Sequence, residues 1–170
     1  MKEQLLSLDD LPEPLKTVWD YWQGLGGESL GCSWRGFDLQ EIPPNLLPST
    51  MVIDVWEDES KNRYRFWGTQ MTRIHGRDMT GESPYDISPS DLGETLRRQH
   101  KATVTDGKAS ASIYGFERAG GVDHFHQVLR LPLSDDGTSV NQIAVIIDLT
   151  AASPENQTGL MISAATVSEE

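Results

Sequence analysis

The stretch NRYRFWGTQMTRIHGRDMTG, Asn62 to Gly81, decides how the rest of the chain is read. Its first half alternates with the period of two that a β-strand imposes. Tyr64, Phe66 and Gly68 are expected on one face, and Arg63, Arg65, Trp67 and Thr69 on the other. Gly68-Thr69 breaks the strand, and Thr69 is placed to cap a short helix with Met71 and Ile74 on one side. Gly76 can end that helix in a left-handed conformation, and Arg77-Asp78 with Thr80-Gly81 makes a polar turn. A strand feeding a short helix and then a polar turn forms a concave shelf on which a small ligand can sit.

Working back toward the N-terminus, Met51 to Trp56 reads as a strand, with Met51, Ile53 and Val55 opposite Asp54. The acidic turn from Glu57 to Asn62 then makes a hairpin with the central stretch. Gly31 to Pro48 is irregular, with Asp38 placed to cap a short helical turn and Pro43-Pro44 ending it. Further back, Leu15, Val18, Trp19 and Trp22 fall at i, i+3, i+4 and i+7, the apolar stripe of a helix. Pro12 and Pro14 suit its first turn, and Gly24, Gly26 and Gly27 stop it. Each tryptophan on that face buries on the order of 150–250 Å², so the stripe must lie on its own domain or on a second copy. The second copy is favoured. Residues 1–11 read as a loose lead-in.

Toward the C-terminus, Ser90 or Asp91 can cap a longer helix in which Leu92, Leu96, Gln99 and Thr103 follow helical spacing up to Gly107. Arg97, Arg98, His100 and Lys101 are expected in its later turns, where cations suit the helix dipole. Three strands follow. Residues 109–116 alternate, and Ala119-Gly120-Gly121 turns the chain. Residues 124–133 then set Phe125, Leu129, Leu131 and Leu133 against His124, His126, Val128 and Arg130. Ser134-Asp135-Asp136-Gly137 is a hairpin turn, and residues 143–147 are a continuous apolar strand. The sum is an α+β chain: a five-stranded antiparallel sheet with helices on one face and a flanking N-terminal helix. The expected division is 1–28 for lead-in and flanking helix, 29–150 for the domain and 151–170 for a flexible tail.

Composition narrows the function. The 170 residues are 37% hydrophobic, which suits one globular domain. The net charge of −12 argues against a nucleic-acid groove or an anionic membrane surface. There is neither a long apolar span nor a signal-type N-terminus, so a cytoplasmic location is expected. Cys32 is the sole cysteine, which excludes an intramolecular disulfide or a thiolate metal cluster within one chain. It reads as a small structural residue.

The motifs, in order, resemble a bacterial stand-alone PAS family. They are Tyr21-Trp22, Asp38 with Ile42-Pro43 and Leu47-Pro48, Asp54-Val55, Tyr64-Arg65 with Gly68-Thr69, Gly76-Arg77-Asp78 with Thr80-Gly81, and Arg130 to Gly137. The resemblance covers about Tyr21 to Thr150. One departure is Trp67, where family members often carry a more basic or an aliphatic residue. The resemblance implies a sensor or protein-interaction module rather than an enzyme. It binds a small molecule between helices and sheet, or binds none and dimerises. It acts in trans through a signalling protein partner, as a homodimer, and it specifies no cofactor. A flavin photosensor of this type needs a cysteine in an asparagine-rich helix beside the pocket. Cys32 stands elsewhere, outside the expected core, and no such helix is present.

The expected ligand cavity is lined by Trp67, Thr69, Ile74 and Tyr114, with Arg73 and Arg77 as candidate partners of a ligand carboxylate. Against that role, an Arg–Asp pair among Arg73, Arg77 and Asp78 would brace the turn. His124 and His126 share a strand face but lack a third ligand at a telling spacing, so no metal site is assigned. His75, just before Gly76, reads as a cation at a helix end. No GxSxG, Walker loop or GxGxxG marks an enzyme. The alternative readings are a small α+β enzyme or carrier, which needs a titratable group of shifted pKa in the cavity, and a ligand-free adaptor with a filled core.

Overall fold

The computed structural model describes residues 2–87, 90–117 and 123–150. In chain order the elements are β1 (Lys2–Leu6), α1 (Leu15–Gly24), β2 (Thr50–Asp54), β3 (Arg63–Trp67), α2 (Thr69–His75), α3 (Ser90–Asp106), β4 (Ser110–Glu117), β5 (Asp123–Leu133) and β6 (Gln142–Asp148). Short 3-10 turns join them, one of them capped by Asp38, whose carboxylate accepts from the Gln40 N–H at 2.9 Å. The expected glycine turn at 119–121 and the expected tail at 151–170 lie outside the described residues.

All strands join one antiparallel sheet in the order β1-β4-β5-β6-β2-β3. The late trio β4–β6 thus folds back beside the early hairpin β2–β3, and the two groups meet where β6 pairs with β2. Among the described residues the sheet has six strands, not five. Residues 2–6, expected to be a loose lead-in, pair with β4 as an edge strand, with Glu3 opposite Tyr114 and Leu5 opposite Ser112. That strand is held by a partner over a hundred residues away, and five residues carry too little alternation of their own to announce it.

As expected, α2 and α3 share one face of the sheet, and the flanking helix α1 lies on the other. One face carries Val52, Ala111, Leu129, Leu131, Leu133, Ala144 and Ile146 and is covered by α1 and the segment through Phe37, Ile42 and Leu46. The other carries Met51, Ile53, Tyr64, Tyr114, Val128, Val145 and Ile147 and faces Met71 of α2, Leu92 and Leu96 of α3 and the connecting residues Met79 and Ile87.

The α1 stripe is used within the chain. Leu15, Val18, Trp19 and Trp22 are buried, and the two tryptophans stack at 5.2 Å between ring centroids. Trp22 Nε1 donates to the Pro132 carbonyl of β5 at 3.1 Å. Gly27 lies flat against the Trp22 ring, where a Cβ would come within 2.1 Å of a ring carbon. A second copy would therefore have to use some other surface. The neighbouring Tyr21 hydroxyl accepts the Asp38 N–H at 2.8 Å and so pins the irregular segment. Cys32 sits in this core rather than outside it, and burial raises its thiol pKa to about 11.

Candidate functional site

The central stretch folds into the expected strand, helix and turn, with one change of register. Val52 pairs with Phe66 and Ile53 with Tyr64, so Arg65 is the extra residue of a bulge. The bulge places Tyr64 and Trp67 on the same face, while Phe66 packs against the other core. Strict alternation had separated Tyr64 from Trp67. Arg65 is turned outward, where its Nε donates to Asp54 at 2.7 Å. Gly68, not Thr69, is the N-cap of α2. A Cβ on Gly68 would meet the Pro48 carbonyl at 2.2 Å, so only glycine lets the chain turn there. Gly76 ends α2 at φ 75°, in the left-handed conformation expected.

Between α2, α3 and the sheet lies a cavity of about 340 Å³. Its apolar wall includes Met51, Ile53, Met71, Leu96, Val145 and Ile147, and its polar groups are Tyr64, His75, His100, Tyr114, His126 and Arg130.

Of the residues expected to line the cavity, Ile74 and Tyr114 do so, Ile74 being partly open to solvent. Trp67 stands behind the wall. Its ring meets Tyr64 edge-on at 4.7 Å and lies 5.4 Å from His75. Thr69, Arg73 and Arg77 are exposed and are not among the lining residues. Arg77 donates to the Asp86 carbonyl at 3.4 Å. The Arg–Asp brace is not formed. Asp78 instead accepts from the Thr80 N–H at 2.8 Å and from its hydroxyl at 2.6 Å, bonds that hold its pKa low. A carboxylate in a tight turn finds backbone donors two residues on more readily than a long flexible cation.

On the β4–β5 side of the cavity is a hydrogen-bond network of which the sequence reading singles out Tyr114 alone. Arg130 on β5 is fully buried. It donates through Nη1 to Ser112 Oγ at 3.0 Å and through Nη2 to the Tyr114 hydroxyl at 2.6 Å and to Gln99 Oε1 on α3. Gln99 Nε2 in turn donates to Glu3 on β1, whose other oxygen accepts from Arg98 at 2.9 Å. Burial lowers the Arg130 pKa, opposed by Tyr114 and by Glu3.

His100 lies beside this network. Burial, and then the Arg130 charge, push its pKa down to about 3, so the imidazole is neutral. It stands mid-helix, because α3 continues to Asp106, and the dipole account of the basic cluster fails with it. Arg98 pairs with Glu3, Lys101 with Glu59 at 3.6 Å, and Arg97 lies over the Tyr85 ring. His75 is also shifted down by burial, which outweighs its place at a helix end. Among the described residues no group of three or more His, Cys, Asp or Glu is arranged to hold a metal ion. Cys32 lies on the sheet face opposite the cavity.

An early hairpin joined to a late antiparallel trio, with helices enclosing a cavity on one sheet face, is the arrangement that the resemblance to PAS domains implies. Among solved structures, the chain is similar to an RNA-binding light-oxygen-voltage receptor at 11% identity and a TM-score of 0.49, over 86% of this chain and 38% of that one. It is similar to the LOV domain of a blue-light-activated histidine kinase from Erythrobacter litoralis at 14% identity and a TM-score of 0.41, over 61% of this chain and 95% of that one. It is also similar to a sensory box sensor histidine kinase from Vibrio cholerae at 10% identity and a TM-score of 0.35, over 58% of this chain and 78% of that one. The chain thus spans well under half the length of the light-oxygen-voltage receptor. No family model and no curated protein matches it. No helix among the described residues is long and apolar enough to cross a membrane.

Proposed function

We propose that this chain is a PAS-type sensory module that takes a small, largely apolar molecule into the cavity under α2 and α3 and passes its occupancy to a protein partner in trans. The observation that carries this reading is the cavity itself: about 340 Å³, walled mainly by aliphatic side chains, with a few polar groups among them. Interiors are otherwise close-packed, and a space of this size suits a small organic ligand. A ligand-free adaptor predicts a filled core instead.

The enzyme reading needs a group poised near neutral pH. His100 is titratable and lies in the cavity, but a pKa of about 3 makes it a poor base at neutrality. A homodimer remains the expected assembly. Its surface is not the α1 stripe, and sedimentation of the full chain at high concentration tests it, with a strict monomer removing it.

Native mass spectrometry of the freshly purified protein tests the ligand reading, with Leu96→Trp as the control that fills the cavity. The wild type is expected to carry a small-molecule adduct, or to take one up from a set of apolar organic compounds. The variant is expected to do neither. A wild type that takes up none of them, or a variant that takes them up as well, overturns the reading.

A further inference from the structure

The cavity holds a cation with no carboxylate in direct contact; Glu3 acts on it only from beyond Gln99. Among the described residues that line it, Arg130 brings a permanent charge and there is no Asp or Glu. Arg130 is about 2% exposed. Its direct hydrogen-bond partners, Ser112, Tyr114 and Gln99, are all neutral groups. Glu3 reaches Gln99 and Arg98, and among the described residues no ion pair includes Arg130. A guanidinium has about five N–H donors. Three hydrogen bonds are formed here, and Nε is left without a partner. Nδ1 of His100, in the same cavity wall, is likewise buried and unpartnered. Buried charges and buried donors are costly when unmatched, and a site that leaves both at the wall of an apolar cavity is shaped for an anion.

Resting on the ligand-binding reading above, we propose that the molecule this cavity takes is an apolar monocarboxylate. Its carboxylate accepts from the free donors of Arg130 and from His100 Nδ1–H in the neutral imidazole. Its hydrocarbon body lies along Ile53, Leu96, Val145 and Ile147. A single carboxylate matches the single positive charge, the unpartnered Nε–H of Arg130 and the neighbouring His100 Nδ1–H. A phosphate dianion would bring a second charge that no lining side chain offsets.

The test is calorimetric titration of the full chain with decanoate, decan-1-ol and decylamine in one buffer. Decanoate is expected to bind at least about 10-fold more tightly than decan-1-ol, the scale of a charge-assisted pair in a dry site. Decylamine is expected to bind most weakly. Arg130→Gln is expected to bring the decanoate-to-decanol ratio to about one while leaving decanol binding within about 3-fold. His100→Phe is expected to reduce decanoate binding several-fold and spare decanol. It supplies the comparison if Arg130→Gln fails to fold. Equal binding of acid and alcohol by the wild type overturns the inference and leaves the cavity reading standing. A preference for the acid that survives both substitutions also overturns it. Failure to bind any of the three overturns the cavity reading and the inference together.

Discussion

His100 gives a prediction whose size follows from its surroundings. The side chain is fully buried beside Arg130, with the Tyr85 ring 6.0 Å away. Its pKa falls from 6.5 to about 3 on folding. A histidine with a depressed folded pKa is equally neutral in both states well above pH 6.5. Below that value the unfolded chain takes up a proton that the folded chain refuses, so stability falls as pH falls. Between pH 7 and pH 5 the loss from this group alone is about 2 kcal/mol, from the proton uptake of an unfolded histidine with pKa about 6.5. In urea that is a midpoint shift of roughly 1 M, at a slope near 2 kcal/mol per molar. The assay is urea unfolding followed by tryptophan fluorescence at pH 7 and pH 5, on the wild type and on His100→Gln. The variant starts from lower stability because it disturbs a buried site, but the quantity read is the change between the two pH values, in which that offset cancels. His75 is shifted in the same direction and contributes to both proteins, so the difference between them isolates His100. A variant that loses as much stability as the wild type over this window would refute the claim that His100 is buried in its neutral form.

Three further outcomes follow from the geometry. Gly27→Ala places a methyl 2.1 Å from the Trp22 ring and is expected to lower stability by roughly 1–3 kcal/mol and to shift the tryptophan fluorescence; wild-type values for both would contradict the packing. Trp22→Phe leaves the Pro132 carbonyl without its indole donor and removes ring volume, and chemical denaturation should show a loss of roughly 2–4 kcal/mol. Asp136 accepts from the Thr138 and Ser139 N–H groups at 2.8 and 2.7 Å, and these bonds hold its pKa well below 3.8. Its contribution is present above that pH and fades as pH falls below it, so thermal melts of Asp136→Asn should differ from wild type at pH 7 and converge toward it in acid.

Much of this architecture can be read from local pattern, and the failures have physical causes. The alternation in residues 124–133 places Leu129, Leu131 and Leu133 on one face and Val128 and Arg130 on the other, as found. The helix over the central turn and its glycine stop at Gly76 were equally plain, because they depend on residues a few positions apart. The bulge at Arg65 is different. It is set by how β2 meets β3, and one inserted residue moves Trp67 from the face opposite Tyr64 to the same face. β1 is more remote still, since Lys2–Leu6 becomes a strand only because β4 offers an open edge.

The candidate site was missed where chemistry depends on what is absent. The alternation puts Arg130 on the correct face of its strand, and an arginine there reads as solvated until the apolar wall around it is known. What distinguishes it is that neither neighbouring strand nor the covering helix brings a carboxylate to it, and no local pattern encodes that. His100 did carry a usable signal. It follows Leu92 and Leu96 by eight and four positions, which is the spacing of one helix face. Grouping it by charge with Arg97, Arg98 and Lys101 hid that phase. The three cations turn outward to Tyr85, Glu3 and Glu59, and the neutral imidazole turns in. In a helix over a cavity, angular position rather than residue class decides which basic side chain meets the ligand. The same phase brings Gln99 to Arg130, so the face that seals the cavity also supplies the neutral acceptor that stands between the guanidinium and the Glu3 carboxylate.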